Sequence, residues 1–191
     1  MLLMAIAFGG PYITVVSLKV IAAEFDWPRS VPSFASAATY IGAGIGGIAM
    51  GWFADRIGVH WIALVGAIMI GLGAIVASFS QGMAQLYLAH GILFGLLGNA
   101  TTFAPLIANT TRWFDKRRGV AVALAGSGQS VGGFIWPPVL SYAVEHWGWR
   151  ETMFWWGFLA IATMVPLCFL LRHRPPVSPV RPGVRLPEKG D

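Results

Sequence analysis

Six apolar runs of membrane-spanning length occupy nearly all of the chain from Met1 to Leu171, and they decide the solvent in which it folds. They lie at 1–23, 31–54, 61–80, 84–111, 119–143 and 151–171. Each holds about 20 or more mostly uncharged residues, enough to cross a hydrocarbon core of ~30 Å at a helical rise of ~1.5 Å per residue. The predicted fold class is an all-α membrane protein with six transmembrane helices, spanning 1–174 as one bundle.

Composition supports that solvent. Hydrophobic residues make up 56% and charged residues 11%, against roughly 25% charged in a soluble domain. A mean hydropathy of +0.66 excludes a water-soluble domain. The formal charge of +5 does not indicate a nucleic-acid partner, because the basic residues sit at run ends and in the tail and form no basic face. The lipid bilayer is the first predicted partner. Cys168 is the one cysteine, which excludes an internal disulfide framework and a cysteine-based metal site. It reads as a small buried apolar residue.

The loops fix a predicted orientation. Lys and Arg in the second loop (Arg56), the fourth (Arg112, Lys116, Arg117, Arg118) and the tail (Arg172, Arg174, Arg181, Arg185, Lys189) number ten. The opposite side holds Arg29 and Arg150. The excess of positive charge places both termini and the even loops in the cytoplasm of a plasma or inner membrane. Residues 175–191 are basic and rich in proline, and are expected to form an irregular cytoplasmic linker. No basic n-region of a signal peptide precedes the first run. The apolar run begins at Met1, so a truncated first helix is expected.

Lipid is as apolar as leucine, so membrane helices associate by close packing at small residues. The second run carries Gly42, Gly44, Gly46, Gly47 and Gly51, the fourth Gly91, Gly95 and Gly98, and the fifth Gly126, Gly128, Gly132 and Gly133. Helices two, four and five are therefore expected to make the closest contacts, through Gly42, Gly46, Gly128 and Gly132. Gly42-Ala-Gly44-Ile-Gly46-Gly47 also fits G-x-G-x-x-G, but no strand precedes it and it lies within a spanning helix, so it predicts no dinucleotide cofactor. No other cofactor is implied. Paired carboxylates, H-E-x-x-H and Ser/His/Asp groupings are missing from the apolar runs, which argues against an intramembrane enzyme.

The second run ends in Gly51-Trp-Phe-Ala-Asp55-Arg56-Ile-Gly58-Val-His60. Gly51 is expected to let the helix end approach a neighbour, Asp55 and Arg56 to form a charged latch, and Gly58 to close a tight turn. This segment resembles the G-x-x-x-D-R-x-G loop of the major facilitator superfamily, with Val59 and His60 in place of the usual basic pair. Arg112-Trp-Phe-Asp-Lys116-Arg117-Arg118-Gly119 and the glycine-rich run after it resemble the fourth loop and fifth helix of the same superfamily. The closest likeness is to the branch of monocarboxylate transporters and oxalate–formate exchangers. The first loop, Glu24-Phe-Asp-Trp27-Pro-Arg29-Ser30, is similar to theirs. Gly119, Gly128 and Gly132 match part of the fifth-helix antiporter pattern, where Gly133 stands in place of proline.

The resemblance implies an N-terminal six-helix half, whose partner is a second six-helix half from the same gene, a separate chain or a second copy. It implies a cavity lined by helices one, two, four and five, with three and six outside, and Arg112 as part of the latch. Polar residues deep in the runs fit that arrangement, since such side chains must face the protein or a wet cavity. They are Tyr12, Tyr40, Asn99, Thr101, Thr102, Ser127, Gln129 and Ser130. Tyr12, Tyr40, Asn99, Thr102 and Gln129 are the candidate substrate-binding residues, with interhelical hydrogen bonding as their alternative role. Lys19, the only charge away from the first residue of an apolar run, reads first as a lysine snorkelling to the outer surface, with attraction of an anion as its functional role. His90 is placed near the outer interface. No Asp or Glu lies in the bilayer core, so proton coupling would fall to a carboxylate in the other half or in a missing N-terminal stretch, or else to Lys19 or His90.

The expected function is secondary active transport of a small organic solute, with monocarboxylates as the suggested class. A non-transporting six-helix scaffold is the alternative. The charge pattern makes a direct prediction. In a Cys168→Ser background, an impermeant maleimide should label Trp147→Cys in intact cells, and Asp115→Cys only after permeabilisation. Labelling of Asp115→Cys in intact cells would reverse the orientation.

Overall fold

The structure, a computed structural model, describes residues 1–113 and 118–170. The loop at 114–117, the Arg112 side chain and the tail from 171 lie outside the described residues, and with them the predicted cytoplasmic linker.

The described residues are helical throughout, apart from short connections. The first run is three short helices, α1 (Leu2–Ala7), α2 (Gly9–Val16) and α3 (Leu18–Glu24). The axis bends by 51° between Leu2–Val16 and Leu18–Glu24. At the bend, Ser17 leaves helical geometry (φ −85°, ψ 4°). Next come α4 (Ser30–Ile57) and α5 (Val59–Ser78). They are separated by Gly58 alone, whose φ of 97° and ψ of 144° make the reversal that a side chain would resist. The fourth run is α6 (Met83–Leu88), an eleven-residue π-helical segment (Ala89–Asn99) and α7 (Ala100–Trp113), with Pro105 inside α7.

The last helix, α8 (Arg118–Leu170), covers the fifth and sixth runs. Its apolar part, Gly119–Phe169, is 51 residues long. Straight, it would extend about 77 Å, more than twice a ~30 Å hydrocarbon core. Gly148 breaks it, with φ 79° and ψ 160°. By length and apolarity, four helices qualify to cross a membrane, or five with the bent first pair taken as one span.

Glycines seat backbone on backbone. A Cβ at Gly42 would collide with the carbonyl oxygen of Gly91, and one at Gly46 would stand 2.5 Å from that of Leu96. The π-helical segment reciprocates at Gly95, where a Cβ would lie 2.5 Å from Thr39 O and 3.1 Å from Gly42 Cα. The second and fourth runs therefore pack backbone against backbone at these glycines. The fifth does not join them: Gly128 and Gly132 seat the backbone of Met1 and Ala5, so α8 packs at these glycines on the first run. Trp136 reinforces this pairing by donating from Nε1 to Ala5 O at 2.6 Å. The third and sixth runs meet through Gly71 and Gly157, each of whose Cβ positions lies within 2.8 Å of the other's carbonyl oxygen.

Polar contacts join the ends of the runs. Glu24 accepts from Trp149 Nε1 at 2.5 Å and from Arg150 Nε at 3.0 Å, while Arg150 Nη1 donates to Ser78 O at 2.8 Å. Three connections are thereby tied at one end of the bundle. At the other end, His60 Nδ1 donates to Cys168 O at 2.7 Å, joining the start of α5 to the end of α8.

The glycines of α4 make a contrast that tests this packing. A Cβ at Gly42 meets fixed backbone, whereas one at Gly44 meets nothing within 4 Å. Gly42→Ala should destabilise the purified protein by about 1–3 kcal/mol or more, the cost of overpacking. Gly44→Ala should be neutral or stabilising by up to ~1 kcal/mol, since alanine is the better helix former. Thermal unfolding in detergent checks both; equal effects would contradict the assignment of faces.

Candidate functional site

A cavity of about 250 Å³ is lined by Phe8, Tyr40, Ala43, Gly44, Gly47, Asn99, Ala100, Phe103, Ala104 and Gln129. These residues come from the first, second, fourth and fifth apolar runs. Helical periodicity explains the grouping. Tyr40, Ala43, Gly44 and Gly47 stand at i, i+3, i+4 and i+7 of α4, which is one face of a helix. Asn99, Ala100, Phe103 and Ala104 form the matching face where the π-helical segment gives way to α7. Gly44 and Gly47 have no neighbour at their Cβ positions, so these two glycines keep the wall open, unlike Gly42 and Gly46.

The π-helical turn bears on Asn99. Hydrogen bonding in a π-helix runs one residue further than in an α-helix, and such stretches are rare and concentrate at functional sites. Asn99 is the last residue of this stretch and is 2% exposed. Its Oδ1 is buried and has no hydrogen-bond partner among the described residues. Unpaired buried acceptors are exceptional, because leaving one unsatisfied costs roughly 1–3 kcal/mol. Gln129 supplies a second amide from α8, and Tyr40, half exposed, supplies a phenol from α4.

Three of the predicted substrate-binding residues thus share the cavity wall, and three do not. Thr102 is buried, but its hydroxyl donates to Gly98 O at 3.1 Å within its own helix. Thr101 is likewise spent on Gly98 O and Leu97 O, at 2.6 and 2.8 Å. Hydroxyls three or four residues beyond a carbonyl commonly fold back in this way. Tyr12 faces α8 where its hydroxyl stands 2.8 Å from a Cβ position at Gly133, one turn from Gln129. Lys19 is exposed on α3, past the bend at Ser17.

His90, placed by the sequence near the outer interface, points into the protein. It is fully buried, its Nδ1 lies 3.0 Å from Leu86 O and its Nε2 2.6 Å from Thr14 Oγ1. A carbonyl only accepts, so Nδ1 carries a proton. In the neutral ring Nε2 then accepts from the Thr14 hydroxyl. The contact joins α2 to the fourth run and holds the first residues of the π-helical segment.

At the α4–α5 turn the Arg56 guanidinium lies 3.8 Å from the centroid of the Trp52 ring, a cation–π contact. Asp55 is exposed beside it. Among the described residues a Cβ at Gly51 would meet nothing within 4 Å, so none of them is brought close by Gly51.

Phe8, Phe103 and the small residues Ala43, Gly44, Gly47, Ala100 and Ala104 complete the wall, and polarity alone did not reveal them. The signal for α4 was present: Tyr40, Gly44 and Gly47 mark one face, distinct from that of Gly42 and Gly46.

Comparison with known proteins agrees with this architecture. The family model described as Major Facilitator Superfamily matches residues 1–189. The chain is 39% identical over 132 residues to MFS-type transporter pynF of Aspergillus niger, covering 69% of this chain and 30% of that protein. It is 31% identical over 130 residues to Monocarboxylate transporter 12 of Xenopus laevis, covering 67% of this chain and 27% of the relative. It is 32% identical over 128 residues to human Monocarboxylate transporter 7, covering 65% and 24% respectively. The chain thus spans less than a third of the length of these three relatives. A match over nearly its full length, on a helical bundle whose apolar helices suit a membrane, places this integral membrane chain in the major facilitator superfamily.

Proposed function

We propose that this chain is one half of a secondary active transporter that moves a small organic solute by alternating access, and that the cavity is where this half meets the solute. The cavity itself carries the proposal. Four sequence-distant segments converge on one open space, and Tyr40, Asn99 and Gln129 bring polar groups to a wall that is otherwise apolar. Ligand sites are commonly concave and mostly apolar, with a few convergent polar groups.

Six membrane crossings follow if the bent first run counts as one and Gly148 divides α8 into two. Both termini then share one side of the membrane, and the excess of Lys and Arg supports the cytoplasmic side. A second six-helix half supplies the opposite wall, whether from the same gene, a separate chain or a second copy. Asp55 and Arg56 at the Gly58 turn, with Arg112, form the latch between conformations. The names of the relatives make monocarboxylates the first solutes to test, with Lys19 as an outer residue that attracts an anion. A scaffold that binds no solute is the outcome if the cavity proves inert.

Uptake of radiolabelled monocarboxylates into proteoliposomes tests the site. Asn99→Ala and Gln129→Ala each remove a hydrogen-bonding group, and should raise the apparent Kd or KM roughly five- to a hundred-fold at normal membrane abundance. Unchanged affinity in both variants rejects the site. Poor folding with normal affinity in the surviving protein assigns the two amides to helix packing instead.

The latch has a different expected signature. Asp55 lies at a turn and not on the cavity wall. Asp55→Ala should lower turnover about ten-fold or more while solute affinity stays within about two-fold, since it acts on the transition between states and not on binding. Lost affinity with normal turnover would contradict this role.

A further inference from the structure

We infer that the cavity receives an uncharged, ring-sized portion of the solute that carries an N–H or O–H donor, such as an amide, lactam or phenol, and that this wall favours such a group over a carboxylate. This rests on the cavity being the solute site.

Charge is the first ground. No lysine, arginine, histidine, aspartate or glutamate is among the lining residues. The candidate cation, Lys19, stands eleven residues beyond Phe8, a rise of about 16 Å along a helix. That is further than a lysine side chain reaches, and the axis also bends by 51° between the two. An ionised carboxylate pressed against this wall would give up water on that side for neutral dipoles alone, and desolvating a charge with no opposite charge beside it is disfavoured.

The second ground is the hydrogen-bonding character of the wall. Asn99 and Gln129 each offer two N–H donors and a carbonyl acceptor. The orphaned atom is Asn99 Oδ1, and a half-turn of that amide exchanges its oxygen and nitrogen, so the side chain can offer the cavity an acceptor. A carboxylate has no hydrogen to give it. An amide, lactam or phenol does, and all three can also accept from the side-chain amides, so that a primary amide on the wall and one on the ligand satisfy each other in both directions.

Shape is the third. A cavity of about 250 Å³ exceeds the ~150 Å³ that is known to admit benzene, and so has room for one substituted ring. Tyr40, Phe8 and Phe103 offer aromatic surface, and Gly44 and Gly47 leave a flat floor where no Cβ projects. Flat apolar rings stack on such walls.

Benzamide and benzoate make the test, since they share ring and size but differ in charge and in N–H donors. Calorimetric titration of the full chain, purified in detergent and monodisperse, should show benzamide bound at least about ten-fold more tightly than benzoate, the effect of a satisfied against an unsatisfied polar group. Asn99→Leu should erase that preference, and Gln129→Leu, at a less buried position, provides a second variant if the first fails to fold. Gly47→Phe fills the cavity from a position where a Cβ meets nothing, and should abolish binding of both compounds. Benzoate binding as tight as benzamide, and lost in Gly47→Phe, overturns the neutral class while the cavity stands as the site. Benzamide binding that survives Gly47→Phe removes the site itself, and the inference with it. If neither compound binds up to millimolar concentration, the ring-sized neutral class is wrong, and loss of monocarboxylate uptake in Gly47→Phe decides separately whether the cavity serves transport.

Discussion

The backbone contact between α4 and the π-helical segment governs the rest of the bundle. Nothing hydrophobic drives two helices together in lipid, so the gain comes from how closely their surfaces approach. At Gly42, Gly46 and Gly95 the approach is close enough that a methyl group would strike main-chain atoms. That fixes the rotation of α4 as well as its distance. Gly44 lies two residues from Gly42, about 200° around the helix. Once one glycine face is pressed against the fourth run, the other turns towards open space and becomes the cavity floor. Asn99, at the end of the segment so gripped, has its position set by the same contact.

The fate of the intramembrane polar groups follows from side-chain length. Thr101, Thr102, Thr110 and Thr163 all donate to carbonyls three or four residues back. Such hydroxyls are satisfied wherever the helix happens to lie, and provide no information about a ligand. An asparagine or glutamine amide has more donors and acceptors than its own turn can absorb. His90 is an intermediate case, because one nitrogen is satisfied locally by Leu86 and the other requires Thr14 from another run. The buried orphans that remain are few among the described residues: Asn99 Oδ1, Ser17 Oγ at the bend of the first run, and Trp156 Nε1.

Much of this was legible in the sequence, and what was not has identifiable causes. Run length and charge placement indicated a membrane bundle, and the spacing Asp55-Arg56-Ile-Gly58 indicated a turn that the positive φ of Gly58 makes. Asn99, Gln129 and Tyr40 stood out as polar residues within apolar runs, and they line one cavity. The partner of each glycine was not legible, because a small residue states that something approaches without saying what. Gly128 and Gly132 therefore seemed to belong with the second and fourth runs, when they seat the first. The π-helical stretch had only Gly91, Gly95 and Gly98 to announce it. The burial of His90 depended on Thr14, 76 residues away. Thr102 could have been set aside from sequence alone, since back-bonding to Gly98 is a local possibility.

The same contacts constrain how such a half can move. Each wall of the cavity is anchored by features that do not slide cheaply. α4 is held to the π-helical segment through backbone, α8 to the first run through Gly128, Gly132 and the Trp136–Ala5 hydrogen bond, and the first run to the fourth through Thr14 and His90. Close-packed interfaces switch between discrete arrangements and do not deform smoothly. Under the proposed function, access then changes by rocking this half as a body against its partner, with the cavity wall intact. The surface that accommodates the movement is one where no backbone contact is made. Ile45 and Ile48 on α4 and Phe134 on α8 are 63%, 83% and 84% exposed. Side chains meeting lipid or another protein through such flexible apolar contacts can exchange neighbours at little cost, which a glycine seated on a carbonyl cannot.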